Sequence, residues 1–245
     1  RNQTRQPDGM VIVHECETDL GGSDRTDWAW PAVFAANLRT HNLSGAVNQG
    51  IDEILIRRLE WGLDPDSTYL ALLDDDDWWD ERYLEHCVAT VTTSDTDLAV
   101  AGIQRYDVDH PEGRKLSIPK SLEIDDFLVG NPNLQGSNLF VRLSCFLRTG
   151  GFDEQLQSTT DRDFCIRLFE SCEVRWSRID THLVHHNARS EGRLSDRGGT
   201  RKEAGLRAFA DKHLIRMSAD QRSQFRERSK RLFEIDPLRV KENVH

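Results

Sequence analysis

An α/β fold is what three features of this sequence predict: a mostly parallel sheet flanked by helices, with a C-terminal helical extension. Short apolar or β-branched runs alternate along the chain with segments of helical period. One of these runs, Tyr69-Leu70-Ala71-Leu72-Leu73, ends directly in four carboxylates, Asp74 to Asp77. The length of 245 residues suits one domain of this kind with a sizeable core and an appended helical piece.

Taken in order, Val11-Ile12-Val13 reads as a short buried strand after the turn-like Gln6-Pro7-Asp8-Gly9. The Gly- and Asp-rich stretch 21–27 reads as a loop. From Ser44 to about Leu59, Val47, Ile51, Ile54, Leu55 and Leu59 repeat with a helical period, and Asp52, Glu53, Arg57 and Arg58 take the other side. The strand 69–73 follows, then the acidic run, then a helix through Tyr83, Leu84, Cys87, Val88 and Val91. Leu98 to Ile103 reads as another buried strand. Residues 104–135, rich in Pro, Gly and charge, read as a long excursion of the kind that often carries function. Asn138 to Val141 is the next strand. The turn Gly150-Gly151-Phe152-Asp153-Glu154 precedes a helix from about Asp161, and 173–179 reads as a further strand. Beyond Gly198-Gly199 two helices are expected. Leu206, Phe209, Ala210, His213 and Met217 line the first. The second starts at Ser218, where Ser-x-x-Gln221 matches a capping box.

The acidic run at a strand end carries the chemistry. Open α/β sheets bind ligands at the C-terminal edges of their strands. Hard carboxylate oxygens there suit Mg²⁺ or Mn²⁺, ions that commonly keep substrate phosphates as further ligands. By itself such a run reads as a solvated acidic turn. The sequence argues against an EF-hand, because its Gly and its distant bidentate Glu are missing at the expected offsets. The net charge of -10 and pI near 5.4 argue against a nucleic-acid partner, which calls for a basic face. Five cysteines, an odd number without C-x-x-C spacing, predict buried reduced thiols and a cytoplasmic setting. No apolar run approaches the ~20 residues that span a bilayer, so no transmembrane segment is expected.

Four stretches together resemble the family 2 glycosyltransferases of the GT-A fold. Val11-Ile12-Val13-His14-Glu15-Cys16-Glu17-Thr18-Asp19 is similar to the segment IVVDDGSTD at the nucleotide edge. Residues 42–51, beginning Asn42-Leu43-Ser44-Gly45, are similar to N-x-G-x-x-x-A-R-N-x-G-I. Leu73 to Trp79 is similar to the metal motif LDxDDxW. Gly150 to Glu154, followed by Thr160-Asp161-Arg162-Asp163-Phe164, is similar to the acceptor-side motif GGFDE…EDxDL. The resemblance covers roughly residues 5 to 190. It departs in that His14 replaces an Asp and Val47 an Arg. The family's opening strand and P-x-Y-N turn have no counterpart either, and 1–5 would be the tail of its first helix.

The resemblance implies an inverting, metal-dependent transfer of a sugar from a nucleotide donor, a UDP-sugar foremost, to a saccharide or other hydroxyl acceptor. It implies Glu15, Asp19, Asn48 and Asp74 on the donor side, and Asp76 with Asp77 and His186 around Mn²⁺ or Mg²⁺. Gln135, Ser137 and Asp163 would face the acceptor, with Asp161 as general base. Each has a plainer reading: Asp161 as a helix-capping acid, His186 as a core or surface histidine, Trp78 and Trp79 as anchors of the next helix. The domain expected is 1–199, with 200–245 as a helical extension packed on it. A non-catalytic sugar-nucleotide-binding or scaffold module is the competing reading. A nucleotidyltransferase lacks its Gly-rich phosphate loop with a trailing Lys or Arg.

Overall fold

The computed structural model describes residues 2–15, 30–171, 173–189 and 197–239. The first half runs β1 (Met10–His14), β2 (Ala32–Ala36), α1 (Leu43–Arg57), β3 (Tyr69–Ala71), β4 (Trp78–Trp79), α2 (Tyr83–Ser94), β5 (Leu98–Tyr106) and β6 (Arg114–Lys115). The second half runs α3 (Ile124–Val129), a 3₁₀ turn at Gly136–Asn138, β7 (Leu139–Arg142), α4 (Leu143–Arg148), α5 (Thr160–Ser171), β8 (Trp176–Asn187), α6 (Thr200–His213) and α7 (Ala219–Phe233). The Asn42 side chain caps α1 by accepting from Gly45 N–H at 2.8 Å. The expected capping box closes at α7, where Gln221 Oε1 accepts from Ser218 N–H at 2.8 Å and Ser218 Oγ from Gln221 N–H at 3.2 Å.

The α/β class is as expected, but the sheet is mixed rather than mostly parallel. β5 and β8 pair in parallel, whereas β7 runs antiparallel to both β3 and β5, and β4 antiparallel to β8. Parallel neighbours need a crossover of a dozen or more residues. β7 instead starts at the Gly136–Asn138 turn, at the end of the sheet where β3 finishes, so it can only run back between β3 and β5. β1 and β2 form a separate parallel pair. Among the described residues no strand joins β1 to β3. Both line one large cleft between them.

Burial follows the two-residue period of β5. Leu98 and Val100 face a core built with Val141, Phe164, Ile166, Leu206, Phe209, Met217 and Phe225. Ala99, Ala101 and Ile103 face the other way, onto Tyr83, Leu84, Cys87 and Val91 of α2. Helices α6 and α7 therefore share the core of the α/β unit. A Cβ at Gly205 of α6 would collide with Ser158, so the helix lies against the loop that leads into α5. Arg162 is the seam between these layers. It donates to the Phe127 and Leu128 carbonyls at 2.9 Å each, and its guanidinium lies 4.2 Å from the Phe209 ring centroid.

Phe225→Ala would empty a fully buried site under Arg162 and Phe209. A loss of about 3–5 kcal/mol is expected by chemical denaturation, in one cooperative transition, because α7 shares its core with the sheet. A separate early transition confined to the C-terminal helices would contradict this packing.

Candidate active site

The four carboxylates leave β3 at its C-terminal end and turn sharply, with Asp77 N–H donating to the Asp74 carbonyl at 3.2 Å. That turn sends the side chains in different directions. Asp75 is exposed, Asp74 and Asp76 are half-buried, and Asp77 is buried. The chain continues into β4, whose pairing with β8 sets Trp78 opposite His185. Trp79 anchors the loop by stacking on Tyr83 at 4.4 Å and donating its indole N–H to the Ser137 carbonyl at 2.7 Å. Trp78 is 45% exposed and stacks on His185 at 5.2 Å. The helix-anchoring role foreseen for one of the two tryptophans thus falls to Trp79.

Asp77 faces into the protein. Its Oδ1 accepts from the Asn187 backbone N–H at 3.0 Å, and His186 Nδ1 lies 3.1 Å from the same oxygen. Burial pushes the Asp77 carboxyl up, but the His186 hydrogen bond and charge, helped by Ser137 and Asn187, outweigh it and hold the group below its ordinary value. Ser137, fully buried, also accepts from Asp74 N–H at 3.2 Å. It is a brace of the acidic loop. The hydroxyl expected on the acceptor side is thus engaged inside the protein.

Asp74 meets Asp161 across Gly136. A Cβ at Gly136 would lie 3.7 Å from Asp74 Oδ1 and 3.8 Å from Asp161 Oδ1, so both carboxylates aim at one spot. Asp74 is pushed up to about 8 by burial first and then by the charges of Asp161, Asp77, Asp76 and Asp75. Asp161, in the first turn of α5, is raised to about 6, chiefly by burial and against the opposing pull of the Gly136 N–H and the Lys202 charge. The Gly136 N–H is near enough to favour the ionised form without satisfying the carboxylate: Oδ1 has no hydrogen-bond partner among the described residues. The backbone enters this helix under strain. Thr159 has φ 66°, a region that costs a β-branched residue about 1–3 kcal/mol. Its hydroxyl reaches the Gly205 carbonyl of α6 at 3.4 Å.

Other expected residues fall elsewhere. Glu15, at the end of β1, lines the cleft and holds Asn37 Nδ2 at 2.7 Å. Gln135 lines it too. Asp19 lies outside the described residues. Asn48 is not among the residues that line the cleft. Its amide donates to the Phe152 carbonyl at 2.9 Å and to Glu154 at 2.8 Å, and accepts from Phe152 N–H at 2.9 Å, tying α1 to the turn 150–154. That turn has φ of 76° at Gly150 and 77° at Gly151, and a Cβ at Gly151 would strike Asn48, hence the two glycines. Asp163 does not line the cleft either. It is fully buried, with His213 and Lys212 each 2.8 Å from Oδ1 and Arg167 2.8 Å from Oδ2. Those partners overcome its burial and hold it well below the usual carboxylate range. Sequence reasoning missed that α6 and α7 reach the cleft, through Arg201, Lys202 and Arg228. Only the adjacency of basic residues to apolar ones in 200–233 hinted at it.

The cleft measures about 2870 Å³, well beyond the ~300–1,000 Å³ of an ordinary small-ligand pocket, so two substrates fit side by side. Among the described residues no three His, Cys, Asp or Glu side chains converge into a closed metal cage. A divalent ion here would need an open shell, in which carboxylates of the turn leave positions for a ligand's phosphate oxygens. No helix among the described residues is long and apolar enough to cross a membrane.

Comparison with known proteins gives a family and a fold. The family model for glycosyl transferase family 2 matches residues 1–156, ending just before the loop that leads into α5 and Asp161. No curated protein matches the chain. Among solved structures, S. aureus TarS 1-349 in complex with UDP-GlcNAc superimposes with a TM-score of 0.61 at 16% identity, over 96% of this chain and 67% of that one. The structure of S. aureus TarS gives 0.57 at 16%, over 98% of this chain and 42% of that one. GalNAc-T7 with UDP, GalNAc and Mn²⁺ gives 0.54 at 13%, over 97% and 48%. At such identities the likeness is one of fold.

Because Asp74 and Asp161 keep protons in the folded chain that the unfolded chain releases above its ordinary 3.8, stability should fall as pH rises from about 4 to about 8. Asp74→Asn, scanned in chelator, should melt above the wild type at pH 8 and lose that advantage near pH 4. An equal difference at both pH values would mean that Asp74 is not held protonated.

Proposed function

The chain belongs to glycosyl transferase family 2, and we propose that it transfers a sugar from a nucleoside-diphosphate donor to an acceptor hydroxyl with inversion at the anomeric carbon. The observation that carries this is the convergence of Asp74 and Asp161 on one spot beside the acidic turn. The donor would lie along the edges of β1 and β3, its ribose toward Asp74 and its base toward Glu15, with a UDP-sugar the first donor to try. Asp19 remains a donor-side proposal from the family motif. The likeness to structures holding UDP-GlcNAc, and UDP with Mn²⁺, supports this choice.

Asp76 would hold Mn²⁺ or Mg²⁺. When bound, such an ion neutralises the diphosphate as it departs. His186, with Nδ1 turned to Asp77, has the orientation of a metal-binding histidine backed by a carboxylate and would offer its other nitrogen. Asp77 then orients His186 and the loop without binding metal itself. Asp161 takes the proton of the acceptor hydroxyl. The acceptor oxygen forms its bond to the anomeric carbon from the face opposite the diphosphate. The carbon–oxygen bond to the diphosphate breaks, and its electron pair leaves with the nucleotide. One base suffices for such an inverting displacement. A group raised to about 6 is suited to the task, since a base near the working pH combines availability with driving force. Gln135 lines the acceptor side. Residues 1–199 carry this site, and the extension from 200 supports its acceptor wall.

Asp161→Asn keeps shape and helix capping but removes the proton acceptor. Turnover should fall by about 10²–10⁴, with UDP affinity nearly unchanged. Near-normal turnover would reduce Asp161 to a first-turn acid of α5 and end its assignment as the base.

Asp76→Asn should weaken UDP binding strongly in Mn²⁺ and little in EDTA, measured by calorimetry. Equal losses in both media would make Asp76 structural.

A further inference from the structure

The wall of the cleft supplied by the C-terminal helices is cationic in a chain of net charge -10. Arg201 and Lys202 at the start of α6 and Arg228 on α7 line the same cleft as Asp161, with Arg162 of α5 beneath them. These groups are close enough to feel one another: burial and then Arg228 pull Arg162 down to about 9, and burial and then Arg162 pull Lys202 down to about 8. Lys202 Nζ sits 4.3 Å from the Phe233 ring centroid. Arg228 lies over the Gly130 backbone, where a Cβ would come within 3.0 Å of its Nε. Both side chains are thus held in place. Among the described residues Arg201, Lys202 and Arg228 make no ion pair, whereas Arg226, two residues before Arg228 on the outer face, is paired with Asp236 at 2.7 Å.

Like charges gathered on a half-buried wall repel one another, and a folded chain rich in carboxylates has many ways to neutralise them. Here the carboxylate that Lys202 acts on is Asp161, which has an oxygen without a hydrogen-bond partner among the described residues. We propose that this wall binds an anionic group on the acceptor, a phosphate ester or carboxylate adjacent to the attacking hydroxyl, through Lys202 and Arg228. Resting on the transferase reading, the assignment narrows the acceptor to an acidic, hydroxyl-bearing molecule. The wall belongs to the acceptor and not to the donor diphosphate, because it is built from α6 and α7 around Asp161, while the diphosphate follows Asp76 on the opposite side. Arg162, spent on two carbonyls and two rings, contributes field and not contact.

The test is calorimetry on the full chain with UDP and Mn²⁺ saturating, so that the diphosphate subsite is filled. The probes are glycerol 3-phosphate, glucuronate and glycerol. Glycerol 3-phosphate or glucuronate should bind and glycerol should not, and added NaCl should weaken the binding. Whichever anion binds identifies the group as phosphate or carboxylate. Arg228→Gln and Lys202→Gln should each lower its affinity by about tenfold or more, the worth of one charge-assisted hydrogen bond. Arg228→Lys should retain most of it. UDP affinity and melting temperature, followed in every variant, report that the fold and donor side are intact. No binding of either anion, or binding indifferent to both Gln variants, overturns the proposal. Failure of UDP to bind the wild type would instead strike the donor reading, and the anion titration of the Gln variants would still decide the wall.

Discussion

Mutual repulsion among carboxylates at one sheet edge is the constraint around which this molecule is arranged. Asp74, Asp76 and Asp77 leave β3 within four residues, and α5 brings Asp161 to meet them. Water is partly excluded, so each charge is costly. The structure handles the members differently. Asp77 is offset by His186, the Asn187 N–H and Ser137, and stays ionised. Asp74 has no such partners among the described residues and holds its proton to about 8. A ligand bringing cationic charge would find one carboxylate already oriented and the others poised to ionise.

The means of that control lie far apart in sequence. Ser137 braces the loop from the turn before β7, Trp79 locks it against α2, and β8 supplies His186 through its pairing with β4. The two-residue strand β4 is therefore less a structural rib than the device that holds the loop closed.

The C-terminal helices do comparable work on the other wall. Gly205 lets α6 press on the loop before Asp161, where Thr159 is held at positive φ, and Asp163 joins α5 to α6 through His213 and Lys212. The same helices carry Lys202 and Arg228 into the cleft. Support for the proposed base and charge for the proposed acceptor thus come from one packing arrangement. The two sides of the cleft consequently differ in sign, acidic beside β3 and basic beside α7.

Much was legible in the residues themselves. The period of 44–59 foretold α1, although the helix ends at Arg57 and leaves Leu59 84% exposed. Ser218 and Gln221 foretold the start of α7, and an apolar run ending in Asp74 foretold a carboxylate cluster at a strand edge. These are local features, set by repeat length and capping chemistry within a few residues. Asn48 and Asp163 stand in the family motifs and Ser137 just before a strand, yet each is tied to partners inside the protein, and a polar side chain's role depends on whether its partner is water, ligand or a distant backbone. Strand direction escaped for the same reason: whether β7 runs with or against β5 depends on where the preceding turn emerges. The sequence by itself determined which segments become helix or strand and where carboxylates gather. Tertiary structure alone decided which of those groups face the cleft, since burial and charge pairing arise only when remote segments pack together.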